Sequence, residues 1–459
     1  MDLRSNAVRG DLAADASRIY GASTALSGLE IGALGFAGLF ILILAQVPIA
    51  FAMIIVGVVG FGLEEGWSPA LTFLASQPAG TLSSIDLATL PLFLLMGTFA
   101  NAAGFSEDLY NAAAAFVGHK RGGLAYATIG GCAAFGAVCG STTATAATFA
   151  KVALPQMLRR GYSPAFSTGS IAGGGTLKSL IPPSLVMILY AIIAKVFIFQ
   201  LFVAAIFPAL LTIALNMLTI AVMVRIDPAS APTSARMSWS ERWHEARAAA
   251  PAIVLIVAVF GGLYSGIFTV NEAASVAAVM AIAFAILRGR LTWDSLIEGL
   301  RSSAGAAVML YMILIGASIF TYFITVARLP DQLLAAIGSL HLAPLAIIGL
   351  LLIAYIVLGT VFEETSAIVV TLPFVLPIVV HAGYDPVWWG IINVVQVELA
   401  MIHPPIGVIV FLLHGLAPDI PMKTIYRGVI PFIIADLCVL LLLTLFPDIA
   451  LWLPRKLGM

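Results

Sequence analysis

Residues 173–184 read GGGTLKSLIPPS and residues 395–406 read VQVELAMIHPPI, each set inside a run of apolar residues. Proline lacks an N–H and clashes with the preceding turn, and glycine is a poor helix former, so both stretches predict a broken helix. They are one motif used twice. Shifting the sequence by 222 residues lays Pro155 on Pro377, Gly161 on Gly383, Tyr162 on Tyr384 and Pro164 on Pro386. The pair Pro182 and Pro183 falls on Pro404 and Pro405, and Leu154/Leu376, Val186/Val408 and Thr143/Thr365 also coincide. LP-x5-GYSP-x17-PP therefore recurs as LP-x5-GYDP-x17-PP without a gap, and similarity at a fixed offset marks duplicated architecture.

The surroundings of these breaks are lipid. Of 459 residues 61% are hydrophobic and 10% charged, against about 25% charged in a soluble domain. The mean hydropathy is +1.07. Runs such as 31–63, 196–224, 249–271, 302–327 and 342–362 carry almost no charge, and several exceed the roughly 20 residues that span a hydrocarbon core as helix. The chain reads as an all-α polytopic membrane protein. Segments of about ten alternating residues, the mark of an outer-membrane barrel, do not occur. In lipid a carbonyl freed by PP, at about 178–181 and 400–403, is costly unless a cation, water or neighbour meets it. A single break can be a kink satisfied by adjacent helices. Breaks at matching positions of two halves fit better with transporters, which bind ions and substrate there.

The organisation follows from this. Residues 1–29 are polar and alanine-rich, 30–225 form a first membrane repeat, 226–248 a hydrophilic linker, and 249–457 a second membrane repeat. The leading segment has no compact basic region before a short apolar core, so the first span is expected to insert directly. Pro48 divides 31–46 from 49–63, the stretch from EEGWSP to Ser84 reads as polar and broken, and 106–118 reads as a short amphipathic helix. Basic residues are scattered between spans and leave the orientation open. Cys132 and Cys139, two turns apart on an expected helix, and Cys438 read as buried thiols. A formal net charge of −1 gives no field for nucleic acid. GxxxxGK[ST], HExxH and GxSxG are absent, which argues against a primary pump and an intramembrane enzyme. No cofactor is expected.

The stretches FGAVCGSTTATAATFAKVALPQMLRRGY, GGGTLKSLIPPSLVMILYA, GTVFEETSAIVVTLPFVLPIV and GYDPVWWGIINVVQVELAMIHPPIG resemble the large membrane subunit of TRAP transporters, the tripartite ATP-independent periplasmic carriers. VPIAFAMIIVGVVGF and PDIPMKTIYRGVIPFIIADL fit the same subunit, so the resemblance covers about residues 30–457. It implies a bacterial inner-membrane carrier with two inverted repeats, helical hairpins and broken helices, working as an elevator. It also implies Na⁺ as coupling ion, an organic acid as substrate, a periplasmic substrate-binding protein and a small four-helix membrane subunit. With about 30 residues ahead of the first span, the small subunit is expected as a separate chain. A stand-alone Na⁺/anion symporter of similar inverted-repeat architecture is the second reading. The chain departs from the family pattern at Lys178, where a small residue is common, and at His403, where threonine usually precedes the double proline.

The residues then fall into two sets. Gly140, Ser141, Thr142 and Thr143 put hydroxyl and carbonyl oxygens at an expected helix break, with Gly175 and Thr176 ahead of Pro182. Gly359, Thr360, Thr365 and Ser366 are the matching set in the second half. Na⁺ is a hard ion that prefers such oxygens, and the resemblance favours an ion site; small residues also suit close helix packing. Glu363 and Glu364 fit a helix N-terminus or a cation. Lys178 and Glu398 are ionisable residues within spans, which are costly and usually paired or functional. Under the offset Lys178 maps two residues from Glu398, so the two can pair, Lys178 can meet a substrate carboxylate, or it can snorkel to an interface. His403 titrates near neutral pH when unperturbed and can admit H⁺ in place of an Na⁺.

Overall fold

The protein is described by a computed structural model covering residues 28–359, 362 and 364–459. Among these the regular elements are helices. The first half contains α1 (Gly28–Leu44), α2 (Ile49–Glu65), α3 (Trp67–Leu82), α4 (Thr89–Ala102), α5 (Phe105–Val117), α6 (Gly123–Gly136), α7 (Thr142–Arg159), α8 (Pro164–Thr176), α9 (Leu185–Ala194), α10 (Ile198–Ala204) and α11 (Ile206–Ile226). The second half contains α12 (Trp239–Tyr264), α13 (Val270–Leu287), α14 (Trp293–Val326), α15 (Leu329–Ser339), α16 (Pro344–Gly359), α17 (Glu364–His381), α18 (Pro386–Ile402), α19 (Val408–Leu416), α20 (Met422–Leu445) and α21 (Asp448–Lys456).

The offset of 222 that the prolines revealed runs through the helices as well. Adding 222 to the ends of α7, 142 and 159, gives 364 and 381, the ends of α17. The same step carries α2 onto α13, α5 onto α15, α6 onto α16, α8 onto α18 and α9 onto α19, within a few residues. The halves also exchange partners. Helix α2 packs on α14 while α13, its counterpart, packs on α4; α9 packs on α17 while α19 packs on α7. Such reciprocal contacts follow from a two-fold relation between the repeats.

That relation inverts the second repeat. Ala165 and Gly169 of α8 lie against Gly428, and Gly173 against Phe432, so α8 runs parallel to α20. Trp388 near the start of α18 donates from Nε1 to the Leu443 carbonyl at 2.8 Å, at the far end of α20. Its counterpart helix therefore enters from the opposite face.

Local chemistry sets the helix starts. Ser141, Ser163 and Ser184 cap α7, α8 and α9 through their hydroxyls, and Asp385 caps α18. Ser238 with Glu241 and Thr269 with Glu272 form reciprocal capping boxes at α12 and α13. The first box explains why α12 begins inside the hydrophilic stretch 226–248. The stretch expected to be broken after EEGWSP is helical as α3, with Pro78 inside it. Cys139 lies beyond the end of α6, so it does not share a helix with Cys132; both are buried free thiols, and Cys438 is exposed. The region matching α3 and α4 is a single 34-residue helix in the second half, α14. It carries no internal proline and extends about 51 Å at 1.5 Å per residue.

Burial separates interior from lipid-facing spans. Within an apolar 18-residue stretch of the span Pro164–Ala194, 78% of the residues are buried, against 33% in such a stretch of Trp239–Tyr264 and of Val270–Leu287. The broken helix is the centre of the molecule. A separate apolar cluster joins α1, α2, α3, α14, α15 and α17, with Phe320 and Phe323 fully buried. The fold also fixes the orientation that the sequence left open. Ser163 N–H donates to the Ser230 carbonyl at 2.9 Å, Arg160 Nη1 reaches Ser234 Oγ at 3.3 Å, and Gly122 lies against Val224. These contacts gather Lys120, Arg121, Arg159, Arg160, Arg225, Arg236 and Arg242 at one face, with Lys423 and Arg427 at the start of α20 beside them. Lys195 follows α9, at the far end of the span that α8 begins, and Arg455 and Lys456 lie in α21, beyond the far end of α20. By the positive-inside rule the crowded face is cytoplasmic.

Candidate functional site

The chain after α8 tightens into a 3₁₀ turn at Leu177–Leu180 and then extends at Ile181, so the helix stops before Pro182. Pro182 and Pro183 are joined by a cis peptide, as are Pro404 and Pro405. Ser184 restarts the helix by accepting from Met187 N–H at 3.4 Å. Triple glycine ahead of the break serves close packing. A Cβ on Gly173 would stand 2.4 Å from the Phe432 ring, one on Gly174 2.9 Å from Cys132 Sγ, and one on Gly175 2.9 Å from Ala146 Cβ. The interruption is thus built from residues that let three helices approach it.

The tip of the hairpin α6–α7 meets this break directly. Thr142 Oγ1 and Ser179 Oγ are hydrogen bonded at 2.8 Å. Ser141 Oγ lies 3.0 Å from Thr143 Oγ1, and the Ser141 carbonyl accepts from Thr145 Oγ1 at 2.9 Å. Gly140 approaches Leu185, the first residue of α9, and its N–H side is closed by Gly97 of α4. Thr176 Oγ1 donates to the Gly173 carbonyl at 3.1 Å, which also accepts from Asn216 Nδ2 at 3.4 Å. Of the first predicted set, Gly140, Ser141, Thr142, Thr143, Gly175 and Thr176 thus share one region around Pro182 and Pro183.

Lys178 and Glu398 belong to the same region. Lys178 is 1% exposed and Glu398 2% exposed. Glu398 Oε1 accepts from the Leu180 N–H at 2.9 Å, so the carboxylate of α18 holds the 3₁₀ turn that carries Lys178. The second half supplies the other tip. Thr365 and Ser366 are buried in the first turn of α17, and Gly359 at the end of α16 packs so closely on α18 that a Cβ would stand 2.4 Å from Ala400 Cβ. Thr360 and Glu363 lie outside the described residues. Glu364 opens α17.

The two breaks differ in surroundings. Lys178–Leu180 and Pro182–Ser184 are buried, whereas Pro404, Pro405 and Ile406 are exposed and His403 is partly so. His403 ends α18 and its Nδ1 contacts the Pro404 carbonyl. Tyr426 OH donates to the Pro405 and Ile406 carbonyls at 2.8 and 2.7 Å, closing the loop. Ser179, Asn216, Gly97 and Tyr426 escaped the sequence reading. Ser179 had a signal, a hydroxyl between the glycines and the prolines; Tyr426 and Asn216 had none, being distant apart from the fold.

The family described as "Tripartite ATP-independent periplasmic transporter, DctM component" matches residues 36–449. The chain belongs to this family. It is 34% identical to the C4-dicarboxylate TRAP transporter large permease protein DctM of Pseudomonas aeruginosa, over 86% of this chain and 94% of that protein. It is 31% identical to the ectoine/5-hydroxyectoine large permease UehC of Ruegeria pomeroyi, over 91% and 97%. The sialic acid large permease SiaM of Vibrio cholerae is 28% identical over 90% and 96%. Among solved structures, the Alcanivorax borkumensis YdaH transporter, described as having an unusual topology, aligns with a TM-score of 0.56. At 17% identity over 85% of this chain and 90% of the other, it supports the fold alone. The broken helices and hairpins are therefore those of a TRAP large permease, an integral inner-membrane protein. The TRAP relatives named here are permease subunits, and a small membrane subunit and a periplasmic binding protein complete the tripartite system.

Proposed function

We propose that this TRAP permease imports an organic acid, handed over by a periplasmic binding protein, in symport with Na⁺ by an elevator movement. The observation that carries the proposal is the convergence of two hairpin tips and two broken helices, from inverted repeats, on Lys178 and Glu398. Hydroxyls and carbonyls at Ser141, Thr142, Thr143 and Thr176, with Thr365 and Ser366 opposite, are the hard oxygen donors an Na⁺ ion needs, and Na⁺ is a transported ion here. The relatives' names include C4-dicarboxylates, ectoine, sialic acid and isethionate. Each of these carries a carboxylate or sulfonate, which suits a positive charge at Lys178. Glu398 sets that charge's position by anchoring the turn. One break buried and the other exposed is the asymmetry expected when inverted repeats sit in one of two alternating states.

Uptake into proteoliposomes containing this chain and its small subunit tests the proposal, with loaded binding protein outside and an inward Na⁺ gradient imposed or collapsed. Accumulation is expected to need both the gradient and the binding protein, and to fall at least about tenfold in Lys178→Gly if its charge meets the substrate. Uptake without the binding protein would favour a stand-alone symporter. Uptake driven by a pH gradient alone would rule out Na⁺ as the coupling ion.

A further inference from the structure

The second hairpin, α16–α17, is fastened to the broken helix α18 by buried polar side chains. Gln396 of α18 donates from Nε2 to the Leu352 carbonyl of α16. Tyr355, further along α16, hydrogen bonds through its hydroxyl to Thr371 Oγ1 of α17. Thr371 uses its own proton on the Ala367 carbonyl at 2.7 Å, so Tyr355 is the donor of that pair. The Tyr355 ring stands edge-on to Trp389 of α18, with 5.8 Å between ring centres, and Asn393 Nδ2 donates to the Trp389 carbonyl at 3.4 Å. One set of side chains thus joins three helices. Asn393, Gln396 and Trp389 are fully buried, and Tyr355 and Thr371 nearly so.

The first repeat holds its hairpin otherwise. The offset of 222 carries Leu352, Tyr355, Thr371, Asn393 and Gln396 onto Gly130, Ala133, Phe149, Ile171 and Gly174. There Phe149 packs on Phe135 with ring centres 6.1 Å apart, and a Cβ on Gly174 would stand 2.9 Å from Cys132 Sγ. Close apolar packing therefore suffices for this architecture. The polar set of the second repeat is the costlier solution. Asn393 Oδ1, Gln396 Oε1 and Trp389 Nε1 find no partner among the described residues, and a buried polar atom left unpaired forfeits its hydration. What hydrogen bonds add over apolar contact is a fixed arrangement of the helices that share them.

We propose that Gln396 and Tyr355 are positioning residues for transport, setting the register of the second hairpin on α18 and so placing its tip against the second break. Tyr355 lies one turn before Gly359, which packs on Ala400, and Gln396 lies one turn before Ala400 and two residues before Glu398. A slip in this register moves Thr365 and Ser366 relative to the carbonyls at 400–403. The first tip, held through Thr142 and Ser179, does not depend on it. The consequence for Na⁺ rests on the ion site proposed above, whereas the register does not.

The test uses the full chain purified with its small subunit and compares amide hydrogen exchange in peptides covering Thr365 and Ser366 with exchange in peptides covering Thr142 and Thr143. In Gln396→Leu and in Tyr355→Phe, exchange at the second tip is expected to rise about fivefold, the scale of one hydrogen bond, while the first tip keeps its rate. The melting temperature of Gln396→Leu is expected to hold, because leucine removes the unpaired Oε1 together with the bond. Thr444→Val is the control and leaves both tips unchanged, since that buried hydroxyl bonds to the Leu440 carbonyl of its own helix. The Na⁺ concentration for half-maximal uptake rises by a similar factor in the two positioning variants. Unchanged exchange at the second tip in both variants, an equal rise at both tips, or the same rise in Thr444→Val would overturn the positioning role. Faster exchange at the second tip with an unaltered Na⁺ dependence would uphold the register and overturn the ion site there.

Discussion

Glu398 ties the second repeat to the broken helix of the first through a hydrogen bond. Its carboxylate accepts the Leu180 N–H within a turn that the sequence of prolines and glycines cannot stabilise by itself. Replacing it by alanine strands a buried N–H, a loss of about 1–3 kcal/mol. Glu398→Ala should therefore melt at lower temperature, whereas Glu398→Gln retains an acceptor and should lose less stability. Thermal melting of the two purified variants checks the order; equal losses would mean the charge, and not the acceptor, holds the turn. At this scale the sequence was informative about types and silent about partners. Lys178 and Glu398 stood out because charge is rare in a span. The offset laid Lys178 within two residues of Glu398, but that Glu398 meets the Leu180 N–H was not legible, since the inverted fold decides which atoms meet. His403 stood out as well, yet lies partly exposed beside Pro404, outside the buried region of the first break.

At the scale of elements, glycine decides how closely the broken helix can be gripped. A Cβ on Gly428 would stand 1.9 Å from the Ala165 carbonyl oxygen, and one on Gly169 would stand 2.1 Å from the Gly428 carbonyl oxygen. Both are backbone contacts that no side-chain rotation relieves. Gly428→Val should separate α8 from α20 and cost several kcal/mol, read as loss of monodisperse protein after detergent extraction. Gly349→Val is the control, because nothing lies within 4 Å of its Cβ direction. Helix existence was legible wherever proline, glycine and serine punctuate an apolar run, as at Pro48 and before Pro164. It failed at α3, where polar residues and Pro69 and Pro78 mimic a loop. There Pro69 occupies the tolerant first turn, and Pro78 is accommodated on a mostly exposed helix.

At the scale of the molecule, duplication was visible in the sequence because prolines mark it, but inversion was not, since an offset carries no direction. Direction came from α20, which runs with α8 and against α18. The same inversion places the hairpin tips of opposite repeats on one region and leaves α1 to bridge to them. Phe40 of α1 stacks edge-on against Phe362, beside the second tip, at 5.5 Å between ring centres. An elevator requires that contact to break during each cycle. The decisive measurement is Na⁺-driven uptake by a Phe40→Cys/Phe362→Cys variant, with Cys438 replaced, before and after bridging by a short bis-methanethiosulfonate reagent. Bridging should abolish uptake, reduction should restore it, and each single-cysteine variant should be unaffected. Uptake that continues at full rate through a verified bridge would contradict movement of the second tip against α1.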